Sequence, residues 1–161
     1  MSEMEETPDN SAEDPESVKD EKFLIFSILG RHYTFPSRFI SEIALFDTVY
    51  QLPLLPDYVL GVINRYSVPY ALFDIGLLLF KTPSPKGKVL VLKEDIDRIA
   101  FLIDDVIGIV DVPPHELFEV ERSVDSNDLT ETVSASFRWN GGDVLVLDIR
   151  RILANVTGEA A

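Results

Sequence analysis

The chain has 161 residues, 46% of them apolar, with 28 acids against 14 bases and a formal net charge of −14. That length suffices for one domain, or for two small subdomains sharing a core. The acidic balance argues against nucleic acid and anionic membrane surfaces, which need clustered Lys and Arg, and the absence of cysteine removes disulfide and thiolate chemistry.

Residues 1–21 hold nine acids and one base, Lys19, with almost no large apolar side chains. Such a stretch cannot bury enough surface to offset its ordering entropy, so a disordered acidic tail is expected. Phe23 to Leu29 reads as a strand, Gly30-Arg31 as a turn and His32 to Phe35 as the returning strand. After Pro36-Ser37, the spacing of Phe39, Ile40 and Ile43 predicts a short helical stretch. Gln51 to Pro56 is a connector, because two prolines oppose a central strand. Tyr58 to Ile63 and Val68 to Phe73 are strands around Asn64-Arg65-Tyr66-Ser67, and a short helix runs from Asp74 to Phe80.

Lys81 to Gly87, with two prolines and a glycine, is the clearest boundary. Beyond it, Val89 to Leu92 and Arg98 to Ile103 form a hairpin, and Val106 to Val112 is a strand ended by Pro113-Pro114. Glu121 to Leu129 is polar and expected to be a loop. Val133 to Trp139 and Asp143 to Leu147 form a hairpin around Asn140-Gly141-Gly142, residues that accept positive φ. A last helix runs from Asp148 to Val156 and ends at Gly158.

This order of elements occurs twice. Lys22 to Ile43 matches Lys88 to Ile109 at an offset of 66, and Ala71 to Leu79 matches Leu145 to Leu153 at an offset of 74. Similarity at half the chain length indicates two copies of one unit. Short strands and short helices in two copies predict two small barrels packed together. Asp74 and Asp148 hold the same place in each copy, where an Asp caps the first turn of a helix. The Asn64 to Ser67 segment has no clear counterpart in the second half.

Nothing in the sequence assembles into a catalytic or metal-binding pattern. His32 and His115 belong to no spaced ligand set. Asp104 and Asp105 are adjacent, so in a strand they point to opposite faces. Gly141-Gly142 lacks the spacing of a phosphate loop, and no G-x-S-x-G elbow is present. A binding role is favoured over an enzymatic one, with no cofactor or metal expected. The polar, acidic N-terminus is unlike a secretory signal, and Asp74 and Asp104-Asp105 break the longest apolar runs. A cytoplasmic location without membrane insertion is expected.

Several motifs, taken in order, carry a family resemblance. Phe23-Leu24-Ile25-Phe26 with Gly30 and Tyr33 looks like the opening hairpin of CheW-like coupling proteins. Ile40-Ser41-Glu42-Ile43 resembles the family's next motif. Leu60-Gly61-Val62-Ile63-Asn64 is similar to its G-V-x-N segment, with Asp74-Ile75 beyond it, and Ile103 to Ile109 is similar to its V-D-x-V-x-G-V motif. The resemblance covers about Lys22 to Val156. It implies one CheW-like domain over residues 22–158, built from two five-stranded SH3-like barrels with a sequence boundary near 81–87.

It further implies a non-catalytic adaptor. Such proteins join the cytoplasmic tips of chemoreceptors to the regulatory domain of a CheA-type histidine kinase, which shares the fold. Ile40, Glu42, Gly61, Asn64, Tyr66 and Ile109 are then expected on or near the receptor groove. Alternative roles are a scaffold for another chemosensory output such as twitching motility, and, more remotely, a small-molecule-binding barrel. After Asn64 the family reads Leu-Arg-Gly, where this chain has Arg65-Tyr66-Ser67. The family arginine falls at Tyr66 and its glycine at Ser67, so the receptor-facing arginine does not carry over. Tyr66 is left as either a stacking contact for the partner or a packing residue.

Overall fold

The computed structural model describes residues 19–85, 87–120 and 132–160. The polar loop expected over Glu121 to Leu129 lies outside the described residues, as does the tail expected over residues 1–21 except for its last three residues, of which Glu21 belongs to the first strand. Among the described residues there are eleven strands: β1 (Glu21–Ile28), β2 (Arg31–Pro36), β3 (Ile40–Leu45), β4 (Val59–Arg65), β5 (Val68–Asp74), β6 (Lys88–Leu92), β7 (Ile99–Ile103), β8 (Asp105–Val112), β9 (Phe118–Glu119), β10 (Val133–Trp139) and β11 (Gly142–Leu147). Helix α1 (Ile75–Phe80) follows β5, and α2 (Ile149–Ala160) follows β11. Gly158 does not end α2, which continues to Ala160.

The stretch expected to be helical after Pro36 is a single 3-10 turn, Ser37–Phe39, followed by strand β3. Accessibility along β3 alternates with a period of two: Ile40, Glu42 and Ala44 are half-buried, and Ser41, Ile43 and Leu45 are exposed. Only three apolar residues supported a helical period, and pairing with β6 decided otherwise. Leu29 also leaves the first strand. It forms the β1–β2 turn with Gly30, both at positive φ (52° and 81°).

The strands form two sheets, ordered β8-β1-β2-β11-β10-β9 and β3-β6-β7-β5-β4. The folds are SH3-like, but hydrogen bonds among the described residues close neither sheet into a barrel, and the first sheet has six strands where five were expected. Each sheet draws on both sides of the 81–87 connector. The first hairpin, β1–β2, sits among β8, β10 and β11 of the second copy; β6–β7 sits among β3, β4 and β5 of the first.

The exchange is symmetric to the residue. Tyr33 pairs with Leu145 in the parallel β2–β11 contact, and the matching residues Ile99 and Ala71 pair in the parallel β7–β5 contact. Leu24 opposes Ile109 as Leu90 opposes Ile43. The 66- and 74-residue offsets of the sequence therefore describe two interlocked copies.

This topology explains the uninterrupted apolar runs. Phe23 to Phe26, Val89 to Leu92 and Ile99 to Ile103 are all buried, because these strands are covered on both faces. Leu24, Phe26, Tyr33, Phe35, Leu90, Leu92, Phe101 and Ile103 fill a central core between the sheets. Phe23 and Ile25 turn the other way, into an outer core with Phe137, Val144 and Val146. Val89, Val91, Ala100 and Leu102 form the opposite outer core with Ile63, Tyr70 and Leu72.

Both aspartates cap their helices. Asp74 accepts from the Leu77 N–H at 3.0 Å, and its second oxygen accepts from the Ser84 N–H at 3.0 Å. Asp148 accepts from the N–H groups of Arg150 and Arg151 at 2.9 and 3.2 Å. Asp74 is buried, at 3% exposure, whereas Asp148 is half-buried. Asp74→Ala leaves two part-buried donors unpaired and is expected to cost about 2 kcal/mol; Asp148→Ala is expected to cost about 1. Midpoints of urea unfolding for the two variants measure the difference.

A candidate partner-binding surface on β3, β4 and β8

The β3 and β4 strands are the two edges of the five-stranded sheet. Among the described residues no ladder joins them; an ion pair links them, and a bridge ties the connector between them to β4. Tyr50 forms a bridge with Val62, with N–H to carbonyl bonds of 2.8 and 2.9 Å in the two directions. Glu42 of β3 accepts two hydrogen bonds from Arg65 of β4, from Nε at 3.0 Å and Nη2 at 2.8 Å. This fork geometry fixes both side chains as no single bond would. A cleft of about 220 Å³ opens beside these contacts, with Ile63, Leu72 and Val89 among the residues lining it.

Arg65 faces Glu42 because its β4 face also carries buried Gly61 and Ile63. The Glu42 hydrogen bond, foremost, holds the guanidinium above its usual pKa, against the opposing effect of burial. Glu42 is thus neither a solvated charge nor a buried unpaired one. Arg65, the partner that decides its role, was not among the residues expected at the site. The helical reading of β3 concealed the pairing, since it set Glu42 apart from any strand edge.

Tyr66 and Ser67 form the tip of the β4–β5 hairpin, with φ of 53° and 68°. Two consecutive positive φ values make this a mirror-type turn, which favours Asn and Gly. The same turn recurs at Asn140 and Gly141, at 51° and 80°, in the β10–β11 hairpin. The Asn64 to Ser67 segment therefore has a structural counterpart at Arg138 to Gly141, invisible in sequence because different residues make the same turn. Tyr66 is 84% exposed, which removes the packing reading. Its ring lies beside the Arg65 guanidinium, 5.4 Å from carbon to centroid.

The remaining expected residues divide. Asn64 is exposed on β4, opposite Pro69. Gly61 serves the backbone: at φ 144° in a bulge, its added Cβ would collide with the Tyr50 carbonyl oxygen and lie 2.9 Å from Val49 Cγ1. Ile40 is half-buried against the central core. Ile109 stands apart in the other sheet, on β8, with 62% of its surface exposed. Its counterpart Ile43 is also exposed, as are Leu45 and Ile107, three apolar residues the sequence did not single out for the site. Strand β6, beside β3, is tied to β8 of the other sheet where Lys88, opposite Leu45, forms an ion pair with Asp105 at 2.7 Å. That lysine lowers the Asp105 pKa, helped by the Val106 N–H.

Among the described residues no group of three His, Cys, Asp or Glu side chains is placed to hold a metal, and no helix is long and apolar enough to cross a membrane. A family model described as CheW-like domain matches residues 22–157. Among solved structures, the scaffolding protein TtCheW from Thermoanaerobacter tengcongensis is similar in fold, with a TM-score of 0.72 at 13% identity. The match covers 80% of this chain and 89% of that one. No curated protein sequence matches.

Four substitutions in three experiments test this geometry. Gly61→Ala is expected to cost roughly 2–4 kcal/mol, through positive φ and the collision with Tyr50, read as a drop in unfolding midpoint. Ser67→Gly is expected to stabilise by about 0.5–1 kcal/mol, by relieving the left-handed backbone, and thermal unfolding would register it as a higher Tm. A double-mutant cycle of Glu42→Gln and Arg65→Gln is expected to give a coupling of about 1–3 kcal/mol, since the pair is bidentate and mostly shielded.

Proposed function

Since the chain belongs to the CheW-like domain family, we propose that it is a non-catalytic cytoplasmic adaptor that couples chemoreceptors to a CheA-type histidine kinase. The observation that carries this reading is the family match over residues 22–157. The distribution of exposed apolar side chains supports it. A groove for receptor helices needs apolar contacts that the free protein leaves uncovered, and Ile109, Ile43 and Ile107 meet that need.

In this reading Ile109 and Tyr66 touch the receptor tip directly, with Asn64 beside them. Ile40, Glu42 and Gly61 act from behind. Ile40 anchors β3 on the core, Glu42 holds Arg65 in place, and Gly61 lets the Tyr50 bridge form. A specific observation favours a variant of this role. Arg65 is held by Glu42, and the hairpin tip presents an uncharged aromatic where the family has a receptor-facing arginine. A receptor paired with this chain would then offer an apolar or planar surface at that point, and the output pathway would be a divergent one.

The test is a pull-down with the kinase regulatory domain and with receptor tips encoded in the same genome. Binding to both is the expected result, and binding to neither sinks the proposal. Retained kinase binding without binding to any receptor tip selects the divergent scaffold. Ile109→Asp is expected to weaken receptor binding at least about tenfold without loss of the fold, because the side chain is exposed.

A further inference from the structure

Most of strand β8 reads Asp105-Val106-Ile107-Gly108-Ile109-Val110-Asp111, which is the same in both directions about Gly108. Its side chains alternate. Asp105, Ile107, Ile109 and Asp111 are exposed on one face, and Val106, Gly108 and Val110 are half-buried on the other. Ile107 keeps 41% of its surface exposed and Ile109 62%. Folding leaves these two apolar side chains in water, where they add nothing to stability. Among the described residues β8 is the end strand of its sheet and pairs only with β1.

The charges at the two ends of this ridge are balanced. Lys22 binds Asp111 at 2.9 Å, and Lys88 binds Asp105 at 2.7 Å. All four side chains stay more than a third exposed, so they remain within reach of another molecule. The ridge is therefore an apolar centre with a lysine–aspartate pair at each end. Turned end for end, it presents the same order of aspartate, isoleucine, isoleucine and aspartate. A two-fold axis across the strand needs that property, because it sets each residue against a different one of the second copy.

We infer that the exposed face of β8 packs antiparallel on the same face of a second copy, with the two-fold axis at Gly108. Ile107 then lies against the partner's Ile109, and Ile109 against the partner's Ile107. Asp105 lies beside the partner's Asp111, and each brings its lysine, so the two ends meet without net charge. The apolar area is small beside a standard interface, which makes the contact weak and reversible. Being two-fold, it closes at the dimer. It does not rest on the coupling role, although a receptor tip seated on Ile109 would compete with it.

Sedimentation velocity on the full chain tests it, over a concentration series reaching about 1 mM. Salt at about 0.15 M screens the repulsion between two chains of net charge −14 beyond about 8 Å. The wild type is expected to pass reversibly from monomer to dimer and no further. Ile109→Asp and Ile107→Lys, both at exposed positions, are each expected to weaken dimerisation at least about tenfold. Mixed in equal amounts, the two variants are expected to pair again. The new aspartate of one then faces the new lysine of the other, and the two unchanged isoleucines meet across the axis. A wild type that stays monomeric, one that assembles beyond the dimer, or variants that dimerise as the wild type does overturn the inference. So does a mixture that fails to pair. If the wild type stays monomeric while Ile107→Lys weakens capture of receptor tips, the ridge belongs to that partner, and the inference fails while the coupling role stands.

Discussion

Four strand pairings hold this molecule together, the parallel β2–β11 and β7–β5 and the antiparallel β1–β8 and β6–β3. Each joins a hairpin of one sequence copy to a strand of the other. Neither copy can complete a sheet alone, since its first hairpin belongs to the opposite sheet. The central core exists only once both exchanges are made, because it brings β1 and β2 of one copy against β6 and β7 of the other, with both helices packed alongside. These pairings have long loops to close, so their stability depends on the apolar surface they bury. The stacked rings of Phe35 on Phe101, 5.6 Å apart, are one direct link between the two sheets.

Within this symmetric frame the copies differ at their edges, where binding would occur. In the first copy, β3 and β4 are joined by the Glu42–Arg65 fork, and the Tyr50 bridge ties their connector to β4. Gly108 and Trp139 take the places of Glu42 and Arg65 at the repeat offsets, so the second copy has no such ion pair. Its bridge instead becomes the short strand β9, with exposed Phe118 in the place of Tyr50. The hairpin turns share a backbone, yet one presents Tyr66 and the other Asn140. A duplicated fold thus keeps its pairing register, which the cores enforce, while its exposed side chains are free to diverge.

Legibility followed the same division. The repeat, the hairpins and the aspartate caps were all readable, because each leaves a mark in the sequence: recurring blocks, turn residues, or Asp before a helix. The strand β3 was misread as helical, since three apolar residues fit either period. The pairing of Glu42 with Arg65 was not readable at all. The two are 23 positions apart, and neither forms part of a local motif. The position of Tyr66 in sequence marked it as unusual, but only its place at a hairpin tip excluded a packing role.

The sequence by itself determined that two related β-rich units share one domain, that Asp74 and Asp148 begin its helices, and that the chain resembles CheW-like proteins. Periodicity and residue chemistry act over a few positions, and these features need no more. The tertiary structure alone decided that the units exchange hairpins, that Arg65 is held by Glu42, and that Ile107 and Ile109 face solvent. Those outcomes depend on which strand lies beside which, and that is fixed by burial of apolar faces between segments far apart in the chain.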